Sequence, residues 1–146
     1  MTEAGPHRTI VVGYLPTAEG SAAVDQAIAL CRQVGARLVI VNTGRNGDYS
    51  HPNFATAEDL DALDDELTRA GLEHEIRQPT TGQPAAEEIL TAALETRAAL
   101  VVIGIRRRSP VGKLLTGSTA QHVLLDAPCP VLTVKAESRV STSADR

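Results

Sequence analysis

A doubly wound α/β sheet of five parallel strands is the fold this sequence predicts, and three observations predict it. Short β-branched apolar runs alternate with stretches of helical spacing, the connections between them are short, and glycines fall where helices must end. Strands connected in this order lie parallel through right-handed crossovers, with helices on both faces of the sheet.

Arg8 to Tyr14 reads RTIVVGY, a run suited to a strand buried on both faces. Val24, Ala27, Ile28 and Cys31 then take helical spacing, and Gly35 stands where a left-handed residue closes that helix. Leu38 to Val41 is a second buried strand. From Thr43 to Ala55 the chain is rich in Gly, Asn, Ser, Pro and His without periodicity, which predicts a surface loop. Leu60, Leu63 and Leu67 form an apolar stripe behind a Thr56 cap, and Gly71 ends this helix. Leu72 to Gln78 alternates as an edge-type strand does.

Pro84 suits a first helical position, and Ala86, Ile89, Leu90, Ala93 and Leu94 make the face of the helix that follows. Ala98 to Gly104 is the strongest strand of the chain. The last helix is expected from Ser118, with Gln121 at capping-box spacing, and Val131 to Val134 forms the fifth strand. This organisation predicts a disordered N-terminus over 1–7, one domain over 8–135 and a disordered tail over 136–146.

Composition narrows the function. Hydrophobic residues make up 42% of the 146, yet Tyr14, Tyr49 and Phe54 are the only aromatic ones, so stacking of bases on aromatic platforms is not the expected binding mode. The net charge of −4 disfavours wrapping a polyanion, but the charges are segregated. Arg97, Arg106, Arg107, Arg108 and Lys113 lie between Thr96 and Leu125 with no acid among them, whereas Ala57 to Glu75 is acidic with Arg69 as its one Lys or Arg. A local anion site fits this pattern and a nucleic-acid face does not. No apolar run reaches the ~18 residues of a membrane span, and the polar start Met1 to Arg8 is unlike a secretion signal. Cys31 and Cys129 belong to no CxxC pair, and His7, His51, His74 and His122 have no metal-ligand spacing. A soluble, cytoplasmic protein with neither a metal centre nor a membrane partner is expected.

In doubly wound sheets ligands bind beyond the carboxyl ends of the strands, where strand order reverses. The segments Tyr14 to Gly20 and Gly104 to Gly117 are therefore the places to look. Gly104 to Ser118 leaves a strand and enters a helix, with glycines at both ends and cations between them. Glycine lets backbone approach an anion, the helix start at Ser118 offers unpaired N–H groups, and Arg106, Arg107 or Lys113 can add charged donors. The bland alternative is that the glycines only shape the connection and the cations form a solvated face. A Walker loop does not fit, since its first glycine would fall on Arg107 and its Ser/Thr on Leu114.

Gly104, Arg107, Gly117 and Ser118 are spaced as in the G-x2-G-x9-G-[ST] nucleotide loop, and the chain resembles the universal stress protein family there. TIVVGY at the start, GARLVIV from Gly35, the Gly82-Gln-Pro-Ala turn, LVVIG and the closing CPVLTVK agree, so that the likeness runs from about 8 to 135. The resemblance implies an adenine-nucleotide α-hydrolase-like sheet in the order 3-2-1-4-5, and ATP as ligand with Mg2+ beside it. Carried over by position, it places Gly104, Arg107, Gly117, Ser118 and Thr119 at the phosphates and ribose. Gly13, Tyr14, Leu15, Thr43 and Ile103 fall nearer the base. Two positions depart from the pattern: Leu15 stands where the family usually has an acid, and Arg107 replaces the middle glycine.

The family likeness further implies a homodimer through the last strand, Val131 to Lys135, which would lie at a sheet edge. Three functions follow. The first is a nucleotide-binding stress-response regulator, with slow ATP hydrolysis at most because no general base is evident. The second is an interaction dimer that has lost the nucleotide, favoured by Leu15 and Arg107. The third is an enzyme such as a nucleotidyl transferase, which would need a catalytic motif that this sequence lacks.

Overall fold

The apolar run Thr9–Gly13 forms β1 at the centre of the sheet, where a strand needs side chains that tolerate burial on both faces. The fold is seen in a computed structural model that describes residues 8–43, 54–105 and 117–136. The expectations for the two termini and for most of the loop between Thr43 and Ala55 lie outside those residues, as do Arg106, Arg107, Arg108 and Lys113.

The elements follow as α1 (Ala18–Val34), β2 (Arg37–Val41), α2 (Ala57–Arg69), β3 (His74–Arg77), α3 (Ala85–Thr96), β4 (Leu100–Ile105), α4 (Gly117–Asp126) and β5 (Val131–Lys135). All neighbouring strands are parallel, in the order β3-β2-β1-β4-β5. This is the doubly wound five-stranded sheet expected from the sequence. Alternation along the strands divides the core. Ile10, Val12, Leu38, Ile40 and Val102 pack with α1 and α2 on one face, while Val11, Val39, Val41, Val101 and Ile103 pack with α3 and α4 on the other.

Local chemistry accounts for most helix ends. The Thr17 hydroxyl accepts the Gly20 N–H at 3.1 Å to start α1, and Gly35, at φ 74°, closes it with its N–H on the Cys31 carbonyl. Thr56 caps α2 in a full capping box, because the Asp59 carboxylate returns a bond to the Thr56 N–H. Three boundaries differ from the sequence reading. Pro84 is the N-cap of α3 rather than its first helical residue, with extended ψ of 151°. The same helix ends on Arg97 at φ 52°, a left-handed residue that no glycine signals. The last helix begins at Gly117, so Ser118 stands inside its first turn instead of capping it.

Candidate functional site

Because β1 lies between β2 and β4, the chain leaving β1 turns to α1 on one face, while α4 packs beside α3 on the opposite face. The carboxyl ends of β1 and β4 therefore open a crevice, at the level where Gly13 pairs with Val41 on one side and Ile103 on the other. β4 and β5 are parallel, so α4 must run back down the sheet and start at this same end.

One wall of the crevice is tightly packed. Thr17 donates its N–H to the Leu15 carbonyl at 2.8 Å, which folds the loop back onto the first turn of α1. A Cβ at Gly20 would lie 1.8 Å from that carbonyl, so only glycine fits. A Cβ at Gly104 would lie 2.3 Å from the Glu19 carbonyl. The sequence argument gave Gly104 to the approach of an anion. In the structure the missing side chain makes room for the backbone of α1. Glu19 enters the crevice region by this contact, its own Cβ 3.2 Å from the same point. Its carboxyl group begins one turn beyond Leu15, the half-buried position where the family pattern has an acid.

Tyr14 belongs to the same wall. Its ring is buried in the α1/α2 core, its N–H donates to the Val41 carbonyl at 2.8 Å, and its carbonyl accepts from Asn42. Burial, followed by the nearby carboxylates of Asp59 and Glu66, raises the phenol above its ordinary pKa. The ring is thus a neutral core element.

Asn42 is the residue that sequence reasoning missed. It is fully buried, and its amide ties three segments together. Nδ2 donates to the Tyr14 carbonyl at 2.9 Å, and Oδ1 accepts from the Ala55 N–H and from Gln78 Nε2, both at 2.9 Å. Gln78 also donates to the Ala55 carbonyl. The ends of β1, β2 and β3 and the entry to α2 are locked by this one side chain. The signal available in the sequence was an Asn directly after four apolar strand residues, which reads equally well as the first residue of a loop.

The other wall is open. Gly117 has φ 81°, and no described atom comes within 4 Å of where its Cβ would be. Gly117, Ser118 and Thr119 are exposed, and the N–H groups of the first turn of α4, which have no intrahelical acceptor, stand at the positive end of the helix dipole. Thr43, by contrast, is buried at 6% exposure, and its hydroxyl has no hydrogen-bond partner among the described residues. Gly13, Tyr14, Leu15, Thr43, Ile103, Gly104, Gly117, Ser118 and Thr119 all lie at the carboxyl end of the sheet or at the start of α4. Arg107 is outside the described residues.

The sequence model of the universal stress protein family matches residues 6–135. The chain belongs to this family. A universal stress protein of Mycolicibacterium smegmatis is 44% identical over 126 residues, covering 86% of this chain and 96% of its own. Among solved structures, a universal stress protein of Archaeoglobus fulgidus superposes with a TM-score of 0.72 at 27% identity, over 88% of this chain and 98% of that one. Another from the same organism, solved in complex with dAMP, has a TM-score of 0.61 at 23% identity and covers 90% and 100%. The family assignment bears out the likeness carried by the Gly104 to Ser118 spacing and the strand motifs.

Proposed function

We propose that this chain binds an adenine nucleotide in the crevice between β1 and β4 and acts as a cytoplasmic, homodimeric stress-response regulator. ATP is the leading ligand. The observation that carries the reading is the exposed first turn of α4, which starts at Gly117 at the switch point of the sheet and whose N–H groups have no intrahelical acceptor. The dAMP complex of a protein with the same fold supports it. Phosphate would sit at Gly117, Ser118 and Thr119, with Arg107 adding a charge-assisted bond, and the base would lie toward Gly13, Thr43 and Ile103. Among the described residues no cluster of three or more His, Cys, Asp or Glu side chains suits a metal, so Mg2+ would enter on the phosphates it accompanies.

Calorimetric titration and thermal shift with ATP and AMP up to millimolar concentration test the reading. Heat and stabilisation are expected, and their absence for both ligands rejects it. Leu15 favours a second reading, an interaction dimer without nucleotide, because no carboxylate stands at that position. The same titration separates the two.

The dimer rests on β5. Val131, Leu132 and Val134 are half-buried on a strand with one free edge, and Leu125, just before it, is 83% exposed. No described helix is long and apolar enough to cross a membrane. Cys31 and Cys129 are free thiols, consistent with a reducing compartment. Sedimentation at micromolar concentration should give a dimer; a monomer there would remove this part of the proposal.

A further inference from the structure

Gln78 is the first residue beyond β3, at the edge of the sheet, and its amide is the outermost member of the bonding that gathers around Asn42. Its nitrogen carries two hydrogens and meets two acceptors, Asn42 Oδ1 and the Ala55 carbonyl, both at 2.9 Å. The backbone of Ala55 is thereby held on both sides, because its N–H donates to the same Asn42 oxygen. Asn42 and Ala55 are buried, so a bond lost here is not replaced by one to water.

This pattern fixes the polarity of the Asn42 amide. An asparagine side chain fits the same space with its oxygen and nitrogen exchanged, and its neighbours decide between the two. Two donors, the Ala55 N–H and Gln78 Nε2, meet one end, which must therefore be the oxygen; the nitrogen then donates to the Tyr14 carbonyl at 2.9 Å. That last bond bears on the crevice. The backbone ladder ties β1 to β2 as far as the Tyr14 N–H on the Val41 carbonyl, and beyond it the Asn42 amide takes over. Tyr14 leads into one wall of the crevice, and Thr43 follows Asn42 into the other. With an acceptor in place of Gln78 Nε2, Asn42 Oδ1 faces a second oxygen, or the amide exchanges its ends and turns its oxygen on the Tyr14 carbonyl. Either outcome loosens the tie.

We propose that Gln78 is a positioning residue for the crevice: by donating to Asn42 Oδ1 it keeps the amide nitrogen on the Tyr14 carbonyl, and so sets the spacing of the two walls that a bound nucleotide spans. The inference rests on the nucleotide reading above. It adds a residue two strands away from β1 that acts through Asn42.

The test compares Gln78→Glu, which keeps the shape and puts an oxygen in place of the donating nitrogen, with Gln78→Met, which removes the donor without adding charge. AMP is titrated against both variants and the parent protein at pH 8 and pH 5, and ligand-free melting temperatures are recorded at both. Each affinity is taken relative to the parent, so that the titration of the AMP phosphate cancels. At pH 8 folded Gln78→Glu should bind AMP about tenfold more weakly than the parent, as loss of one buried hydrogen bond does. A carboxyl that faces two acceptors is protonated more readily than an ordinary glutamate, and once protonated it donates again. The ratio for Gln78→Glu should therefore recover severalfold at pH 5, while a severalfold loss in Gln78→Met stays the same at both. The Asn42 amide and the Ala55 carbonyl do not titrate, so the recovery reports the introduced carboxyl. Parental AMP affinity in Gln78→Glu at pH 8 overturns the inference while leaving the nucleotide reading intact, and so does a loss that acidification does not reverse. Unfolding of both variants at the assay temperature assigns Gln78 to the scaffold and overturns it as well; if Gln78→Glu alone unfolds, parental affinity in Gln78→Met does so. Failure of the parent protein itself to bind AMP rejects the nucleotide reading, and this inference with it.

Discussion

The two walls of the crevice are built on opposite plans. On the β1/α1 side no described buried side-chain polar atom lacks a partner, and two glycines admit backbone against backbone, Gly20 against Leu15 and Gly104 against Glu19. On the side formed by the start of α4 and the end of β2, Ser118 and Thr119 are exposed, and among the described residues nothing fills the space beside Gly117 and nothing pairs with the Thr43 hydroxyl. The difference assigns labour: the first wall fixes the scaffold, and the second has bonding capacity left for a ligand. Substitutions in the first should therefore cost folding, and those in the second should cost binding.

The sharpest test is Gly104→Ala. Its Cβ would meet the Glu19 backbone at 2.3 Å, a contact that neither element can relieve by rotating a side chain. A loss of about 3 kcal/mol in denaturant unfolding is expected, at the upper end for overpacking. Wild-type stability would show that Gly104 is free for another role and would erase the contrast between the walls. Asn42→Ala should follow at about 2 kcal/mol, since the Tyr14 carbonyl and the Ala55 N–H are left buried and unpaired.

On the open wall, Ser118→Pro removes one N–H from the first turn of α4, where no intrahelical hydrogen bond is lost with it. Nucleotide affinity should fall severalfold while stability changes by no more than about 0.5 kcal/mol. A large loss of stability instead would move α4 into the scaffold category.

The smallest effect is expected away from the crevice, at His74. Nδ1 meets the Leu72 carbonyl at 2.9 Å and Nε2 meets Asp64 at 2.6 Å, which joins β3 to α2. Burial lowers the pKa of this imidazole, but the two hydrogen bonds and the Asp64 charge outweigh it and leave the value raised. The stabilisation is therefore complete below the ordinary histidine value and is lost as pH rises through the higher folded one. Because Asp64 is mostly exposed, the effect should stay below about 1 kcal/mol. Denaturant midpoints of His74→Gln and parent between pH 5 and 9 should converge at the alkaline end, and nucleotide affinity should not follow this titration. A matching pH dependence of binding would tie the α2/β3 edge to the crevice and blur the division.

Cys31 is legible from either direction. An apolar helical position in the sequence, it is buried in the α1 face, and burial pushes its thiol up to about 11, far from a reactive thiolate. The charged edge of the sheet was less legible. Arg77 bonds Glu75 and Glu95, and Arg37 lies near Glu73 and Glu75, a network that joins β2, β3 and α3. Arg37 and Glu95 are far in sequence from the β3 residues they meet, and spacing says nothing of those contacts.

By itself the sequence determined the order and type of the nine elements, the parallel sheet and the end of the sheet at which to look. Those features depend on apolar periodicity, capping residues and connection length, which are properties of neighbours in the chain. It also located the Gly104 to Ser118 segment, and the structure adds a packing reason for its first glycine. Only the tertiary structure decided that Gly104 serves the packing of α1, that Tyr14 is occupied by the core, that Asn42 is the tie between three strand ends and that Thr43 is left unpaired. Each of these depends on which distant backbone passes within 4 Å of a residue. That is fixed when the sheet closes, and no local pattern encodes it.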